Sequence, residues 1–258
     1  MRETQDKADK GRTDPGGGPA LDISDLSVSH DGKPVFEHLS LRLESGEIFG
    51  LVGVNGAGKT SLMKAIVNLL SPDAGQIRIY GVPNHLPKSR RSIAYLPETF
   101  RPPPNLTGAQ FLRLALGFHN IEYDLRAASE LAVAAGLDPA ALNARIASLS
   151  KGNGQKIGLL SGFLTSCPLL MLDEPMEGLD PHARILLKAL LRGYRAQGKS
   201  VFMSSHILTD MEELCDRIAV LHGGRLVFTG PPSGLLRQYG APDFEMAFLA
   251  AITPDDRQ

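Results

Sequence analysis

The chain has 258 residues, with 27 Lys+Arg against 28 Asp+Glu, a formal net charge of −1, and 43% hydrophobic and 21% charged residues. Such a chain can bury a sizeable core, and it lacks the basic excess from which a nucleic-acid binder draws affinity, so no nucleic-acid partner is expected. Two cysteines, Cys167 and Cys215, make no disulfide framework and point to a reducing compartment, and the seven histidines show no metal-ligand spacing.

Residues 1–20 are polar and Gly-rich, with no apolar core of a signal peptide, and are expected to be a disordered tail. From Leu21 to Leu43 apolar and polar residues alternate on both sides of His30-Asp31-Gly32-Lys33-Pro34, which predicts antiparallel strands with one wet face. The segment starting at Ile48, IFGLVG, is apolar throughout and predicts a strand buried on both faces. A Gly-rich loop follows, then an amphipathic helix, SLMKAIVNLL, ended by Ser71-Pro72-Asp73-Ala74-Gly75. QIRIYGV and SIAYLP read as further strands. Residues 98–150 turn Leu/Ala-rich with helical spacing and predict an inserted helical subdomain. KIGLLSGFL is a helix, and LLML, SVFMS and RIAVL are apolar runs separated by helical stretches, the pattern of a parallel sheet. The predicted fold is α/β: a mostly parallel core sheet, an N-terminal antiparallel β-subdomain and the helical insertion, together over 21–240. The segment 241–258 is a tail whose apolar run, Phe244 to Ile252, is expected to pack on the domain or a partner. The longest apolar-leaning stretch, Leu159 to Leu172, is interrupted by Ser161, Gly162, Thr165, Ser166 and Pro168 and is too short to cross a bilayer.

Three segments carry chemistry. Gly53-Val54-Asn55-Gly56-Ala57-Gly58-Lys59-Thr60, followed by Ser61, matches the phosphate-binding P-loop between a strand and a helix. Glycines let the backbone wrap a phosphate, the helix N-terminus attracts an anion, Lys59 reaches the β- and γ-phosphates, and Thr60 is a Mg²⁺ ligand. Asp173-Glu174 ends an apolar strand, where open α/β sheets bind ligands: Asp173 suits Mg²⁺ and Glu174 suits a general base. Ser204-Ser205-His206 opens a helix after SVFM; His206 reads either as a helix-start or surface residue or as a polar group facing a γ-phosphate and its attacking water.

With Leu149-Ser150-Lys151-Gly152-Asn153-Gly154-Gln155-Lys156 added, the sequence from Leu21 to Gly240 resembles the ATP-binding subunit of ABC transporters, particularly ABC-2 exporters. That segment is similar to the family signature in a Ser-Lys-Gly form, Gly178-Leu179-Asp180-Pro181 to the D-loop, and His206 to the switch histidine. The resemblance implies ATP and Mg²⁺ as cofactors and a head-to-tail dimer, homo- or heteromeric. ATP would lie between the P-loop of one subunit and the signature of the other, with Ser150, Gly152 and Asn153 reaching the γ-phosphate in trans and Asp180 coupling the two sites. Lys59, Glu174 and His206 would be the catalytic set. The expected partner is an integral membrane permease subunit, with the chain peripheral on the cytoplasmic face of the cell membrane.

The sequence departs from the common pattern of the family. Glu98 in Tyr95-Leu96-Pro97-Glu98 stands where Gln is usual; its carboxylate still reaches Mg²⁺ or water. His30 stands where an aromatic ring usually stacks on adenine, Met176-Glu177 replaces a small polar pair, and Lys151 and Asn153 make the signature a variant. Phe100 to Leu106, stiffened by Pro102-Pro103-Pro104, is expected to meet the membrane subunit. The alternative is an ABC ATPase that moves no substrate, as a membrane regulator or in DNA repair or on ribosomes. The interval from Lys59 to Asp173 has neither the long coiled coil nor the zinc module of repair members, and one cassette is visible where ribosome-acting members carry two.

Overall fold

The computed structural model describes residues 18–253. The tail expected over 1–20 lies outside them except for its last three residues. Of these, Ala20 is buried and the Gly18 carbonyl accepts a hydrogen bond from the Ser45 hydroxyl, so packing begins before Leu21.

Among the described residues, ten strands form two sheets. Strands β1 (Leu21–His30), β2 (Lys33–Leu43), β4 (Ala74–Ile79) and β5 (Val82–Pro83) make an antiparallel sheet in the order β2-β1-β4-β5. The second sheet has the order β10-β9-β3-β8-β7-β6, from β3 (Ile48–Val52), β6 (Ile93–Leu96), β7 (Leu169–Asp173), β8 (Ser200–Ser205), β9 (Arg217–His222) and β10 (Arg225–Gly230). All its neighbours are parallel except β10, which pairs antiparallel to β9 at the edge. The α/β class and the antiparallel N-terminal sheet expected from the sequence are both present.

The core strands show why their apolar runs are continuous. Ile48 and Val52 of β3 face one core cluster while Phe49 and Leu51 face another, so every residue of the strand is buried. One face is covered by α1 (Lys59–Ile66) and the antiparallel sheet. The other carries α6 (Pro181–Ala196), α7 (Leu208–Leu214), α8 (Pro232–Tyr239) and α9 (Phe244–Ile252). The short helix α2 (Pro87–Arg90) precedes β6.

The helical region has its own core. Helices α3 (Gly108–Gly117) and α4 (Leu125–Ala134), and the 3₁₀ turns Pro139–Asn143 and Ile146–Ser148, pack on α5 (Lys151–Thr165) through Leu112, Ala128, Ala132, Leu142, Ile157 and Leu160. Helix α3 opens with a capping box, Thr107 with Gln110, and α4 with Asp124 as cap. Phe100, expected on the outward docking segment, packs inward instead, its ring 5.4 Å from Phe111 and edge-on to it. The exposed part of that segment is Arg101, Pro103, Pro104 and Asn105.

The run at 244–252 is a helix of the main domain. Asp243 caps it by accepting from the Met246 N–H at 2.8 Å, and Phe244, Ala247 and Phe248, spaced i, i+3, i+4, are buried in the core. Burying each Phe is worth about 1.5–3 kcal/mol. No described helix is long and apolar enough to cross a membrane.

Candidate functional site

The end of β3 releases the chain into Gly53–Thr60 beneath a cleft of about 640 Å³. Two glycines are demanded by the backbone. A Cβ on Gly53 would sit 2.7 Å from the Leu221 carbonyl oxygen, and Gly58 has φ +104 with room denied by Val35 at 2.9 Å. Gly58 is also the N-cap of α1, which has no side-chain cap and no acidic residue in its first turn. Its first N–H groups and the positive end of its dipole are thus left for an anion. Lys59 is only 6% exposed, and its Nζ donates to the Gly53 carbonyl at 2.8 Å and the Val54 carbonyl at 3.4 Å.

The other wall follows from strand order. Because β8 lies between β3 and β7, the ends of the three strands converge: Asp173 is level with Ser204, and Val52 with Ser205. The Ser204 hydroxyl donates to Asp173 Oδ1 at 2.6 Å and accepts from the Glu174 N–H at 3.0 Å. Glu174 has φ +49, a left-handed backbone that a side chain seldom adopts. Its carboxylate bridges the cleft: Oε1 is 3.3 Å from Lys59 Nζ, while Oε2 accepts from the His206 N–H at 3.2 Å and lies 2.9 Å from His206 Nδ1. With Glu174 5% exposed, this carboxylate is buried only because it is paired on both sides.

Asp173 is 1% exposed, and its Oδ2 has no hydrogen-bond partner among the described residues. A buried anionic oxygen without a partner fits a divalent cation. No group of three or more His, Cys, Asp or Glu gathers among the described residues. The Tyr95 hydroxyl is likewise buried without a partner; burial, then the charges of Asp173 and Glu98, push its pKa up.

The cleft is lined by His30, Asn55, Gly56, Gly58, Lys59, Thr60, Ser61, Glu98, Glu174 and His206, all predicted from the sequence, and by Val35 and Glu177, which were not. Val35 carries no chemistry that a sequence reading would notice; its place follows from the fold of β2 over Gly58. The bridging role of Ser204 was also missed, since only strand order puts it beside Asp173. Gly53, Val54, Ala57 and Asp173 belong to the loop and strand ends without lining the cleft. Ser150, Gly152, Asn153 and Asp180 do not line it either. Ser150 caps α5, accepting from the Asn153 N–H at 3.2 Å, and Asp180 caps α6, accepting from the Ala183 N–H at 2.9 Å. That backbone hydrogen bond holds the Asp180 carboxyl below the usual range. Gly152 lies near Gly178, a Cβ built on it coming 3.9 Å from the Gly178 carbonyl oxygen, so the α5 start and the Gly178–Pro181 turn adjoin.

Comparison with known proteins agrees with this geometry. The ABC transporter family model matches residues 36–177. The Nod factor export ATP-binding protein I of Rhizobium etli is 36% identical over 221 residues, 84% of this chain and 70% of that protein. An uncharacterized ABC transporter ATP-binding protein of Nostoc sp. is 38% identical over 200 residues, 76% of this chain and 60% of that one. A solved ATP binding subunit of an ABC transporter superposes with a TM-score of 0.84 at 32% identity, over 90% of this chain and 99% of that chain. A bacterial Atm1-family ABC exporter with ATP bound has the same fold, with a TM-score of 0.78 at 19% identity over 90% of this chain and 42% of the other. The chain belongs to the ABC transporter family, as a nucleotide-binding subunit that hydrolyses ATP to power transport.

Proposed function

We propose that the chain takes ATP as its Mg²⁺ complex in this cleft and works as one of two head-to-tail cassettes under an integral membrane exporter. The observation that carries the reading is Glu174 held between Lys59 and His206 at the mouth of the P-loop. The γ-phosphate competes with Glu174 for Lys59, whose Nζ is within reach of the loop. Freed from that ion pair, Glu174 stays oriented by His206 and takes the proton of an attacking water as general base. His206 steadies the water and the γ-phosphate. The α1 N–H groups, with Asn55, Gly56 and Ser61 nearby, hold the phosphate chain, and His30 flanks the base. Thr60, Asp173 and Glu98 would hold Mg²⁺, which supplies charge neutralisation on the phosphate oxygens.

Ser150, Gly152 and Asn153 at the α5 N-terminus are exposed or half-buried, and they suit the γ-phosphate of a second cassette, with Asp180 beside them coupling the two sites. Export as the direction follows the Rhizobium relatives, and the permease places the chain on the cytoplasmic face of the membrane. Arg101, Pro103, Pro104 and Asn105 form part of the face that meets it.

Gentle solubilisation of host membranes, with capture of the tagged chain, tests this. A stoichiometric integral membrane protein is expected, with a lower yield when Pro102, Pro103 and Pro104 are changed to Ala. Soluble or ribosomal partners alone would overturn the exporter assignment.

A further inference from the structure

Tyr95 sits on β6 level with Met171 of β7, and Asp173 is two residues further along β7. Side chains two apart on a strand share a face, so Tyr95, Met171 and Asp173 look to the same side of the sheet. Met171 and Tyr95 pack there with Met63 of α1, the helix that begins with Lys59 and Thr60. On this one face lie two buried polar atoms, Tyr95 Oη and Asp173 Oδ2, neither with a hydrogen-bond partner among the described residues. Each such atom costs stability where it stands, the carboxylate more than the phenol. The sheet places Asp173 at the strand end beside the phosphate-binding loop, and Tyr95 two residues earlier, level with Met171. The two are complementary, since a phenol donates and a carboxylate oxygen only accepts, yet they do not bond to each other. A water placed between two such groups would satisfy both.

We infer that Tyr95 is a positioning residue for the metal, its hydroxyl meeting a water of the Mg²⁺ that Asp173 Oδ2 and Thr60 hold. Mg²⁺ sheds its waters reluctantly, so its sites need groups that orient the waters it keeps, and such partners tune metal affinity. The inference rests on the reading of Asp173 as a metal ligand. It gives the Tyr95 hydroxyl a purpose that apolar packing does not, because Phe would pack equally well.

Mn²⁺ titration of the full chain loaded with a non-hydrolysable ATP analogue, followed by electron paramagnetic resonance, separates the possibilities. Tyr95→Phe is expected to weaken Mn²⁺ affinity by about two- to tenfold, the range of one hydrogen bond. Nucleotide affinity in excess chelator should not change, and the melting temperature without nucleotide should be equal or higher, since a buried unpartnered hydroxyl has gone. Wild-type Mn²⁺ affinity in Tyr95→Phe, with affinity lost in Asp173→Asn, would overturn the role of Tyr95 and leave the metal site standing. Unchanged affinity in both variants would overturn the metal reading and this inference with it. A lower melting temperature together with weaker metal-free nucleotide binding would make Tyr95 a packing residue only.

Discussion

The cleft wall and the signature face differ in how far each is finished by the chain itself. At the cleft, Lys59 and Glu174 are nearly buried, and both oxygens of Glu174 have cationic or N–H partners within 3.3 Å. At the signature face, Ser150 and Asp180 are exposed, and each spends its oxygen on the cap of its own helix. The first is preorganised for chemistry before any ligand arrives, because three strand ends fix it. The second is preorganised only as helix N-termini presented outward. In the proposed head-to-tail pair, hydrolysis would depend on what comes to the outward half.

The sharpest test of that division is Glu174→Gln. Phosphate release should fall by about 10²–10⁴-fold, the usual worth of a positioned base, while binding of a fluorescent ATP analogue persists. Equal loss of binding would show that the cleft wall is not organised as described. Gly152→Asp probes the other half. A Cβ fits there, and an acidic residue in the first turn of a helix is itself mildly stabilising, so the chain should fold and still bind ATP. Turnover should nevertheless drop by about 10²-fold, since a carboxylate would replace an anion-binding end. Turnover kept at the wild-type rate would erase the proposed role of the face.

Smaller effects follow from the caps alone. Ser150→Ala removes the acceptor for the Asn153 N–H and should cost about 1 kcal/mol in urea unfolding of the nucleotide-free chain. The smallest effect lies away from both halves, where Lys188 and Arg192 of α6 bond Glu213 of α7. Those hydrogen bonds hold the Glu213 carboxyl below its ordinary value, so its contribution is present above the unfolded pKa and is lost as pH falls through the lower, folded one. Because Glu213 is half exposed, Glu213→Gln should cost less than about 1 kcal/mol at neutral pH and nothing in strong acid.

Much of this was legible in the sequence because backbone demand and chemistry coincide there. Gly53 and Gly58 are required by sterics, and the buried run before them marks the strand. Two kinds of feature were hidden. Strand order cannot be read locally, so the bridging of Asp173 and Glu174 by Ser204, and the shared face of Tyr95 and Asp173, became visible only with β7 between β8 and β6. Short elements such as β10 and α8, six and eight residues long, offer few positions from which a pattern can be read. The helix at 244–252 was seen as an apolar run, but its buried face, Phe244, Ala247 and Phe248, needed the core to declare itself. Phe100 was assigned outward from its proline neighbours, and the aromatic partner that turns it inward is eleven residues away in Phe111.

Ser204 settles a question of symmetry. Two adjacent carboxyls of the same chemical kind follow one another at the end of β7. One hydroxyl, having a single proton to give, gives it to Asp173 and presents its lone pair to the N–H of Glu174. The neighbours are thereby made unequal: one acid is tethered by its side chain, the other by its backbone, leaving the second carboxylate to pair with Lys59 and His206 across the cleft. Ser204→Ala would let the pair drift toward equivalence, and it shows how a single hydrogen atom can assign different trades to twin residues.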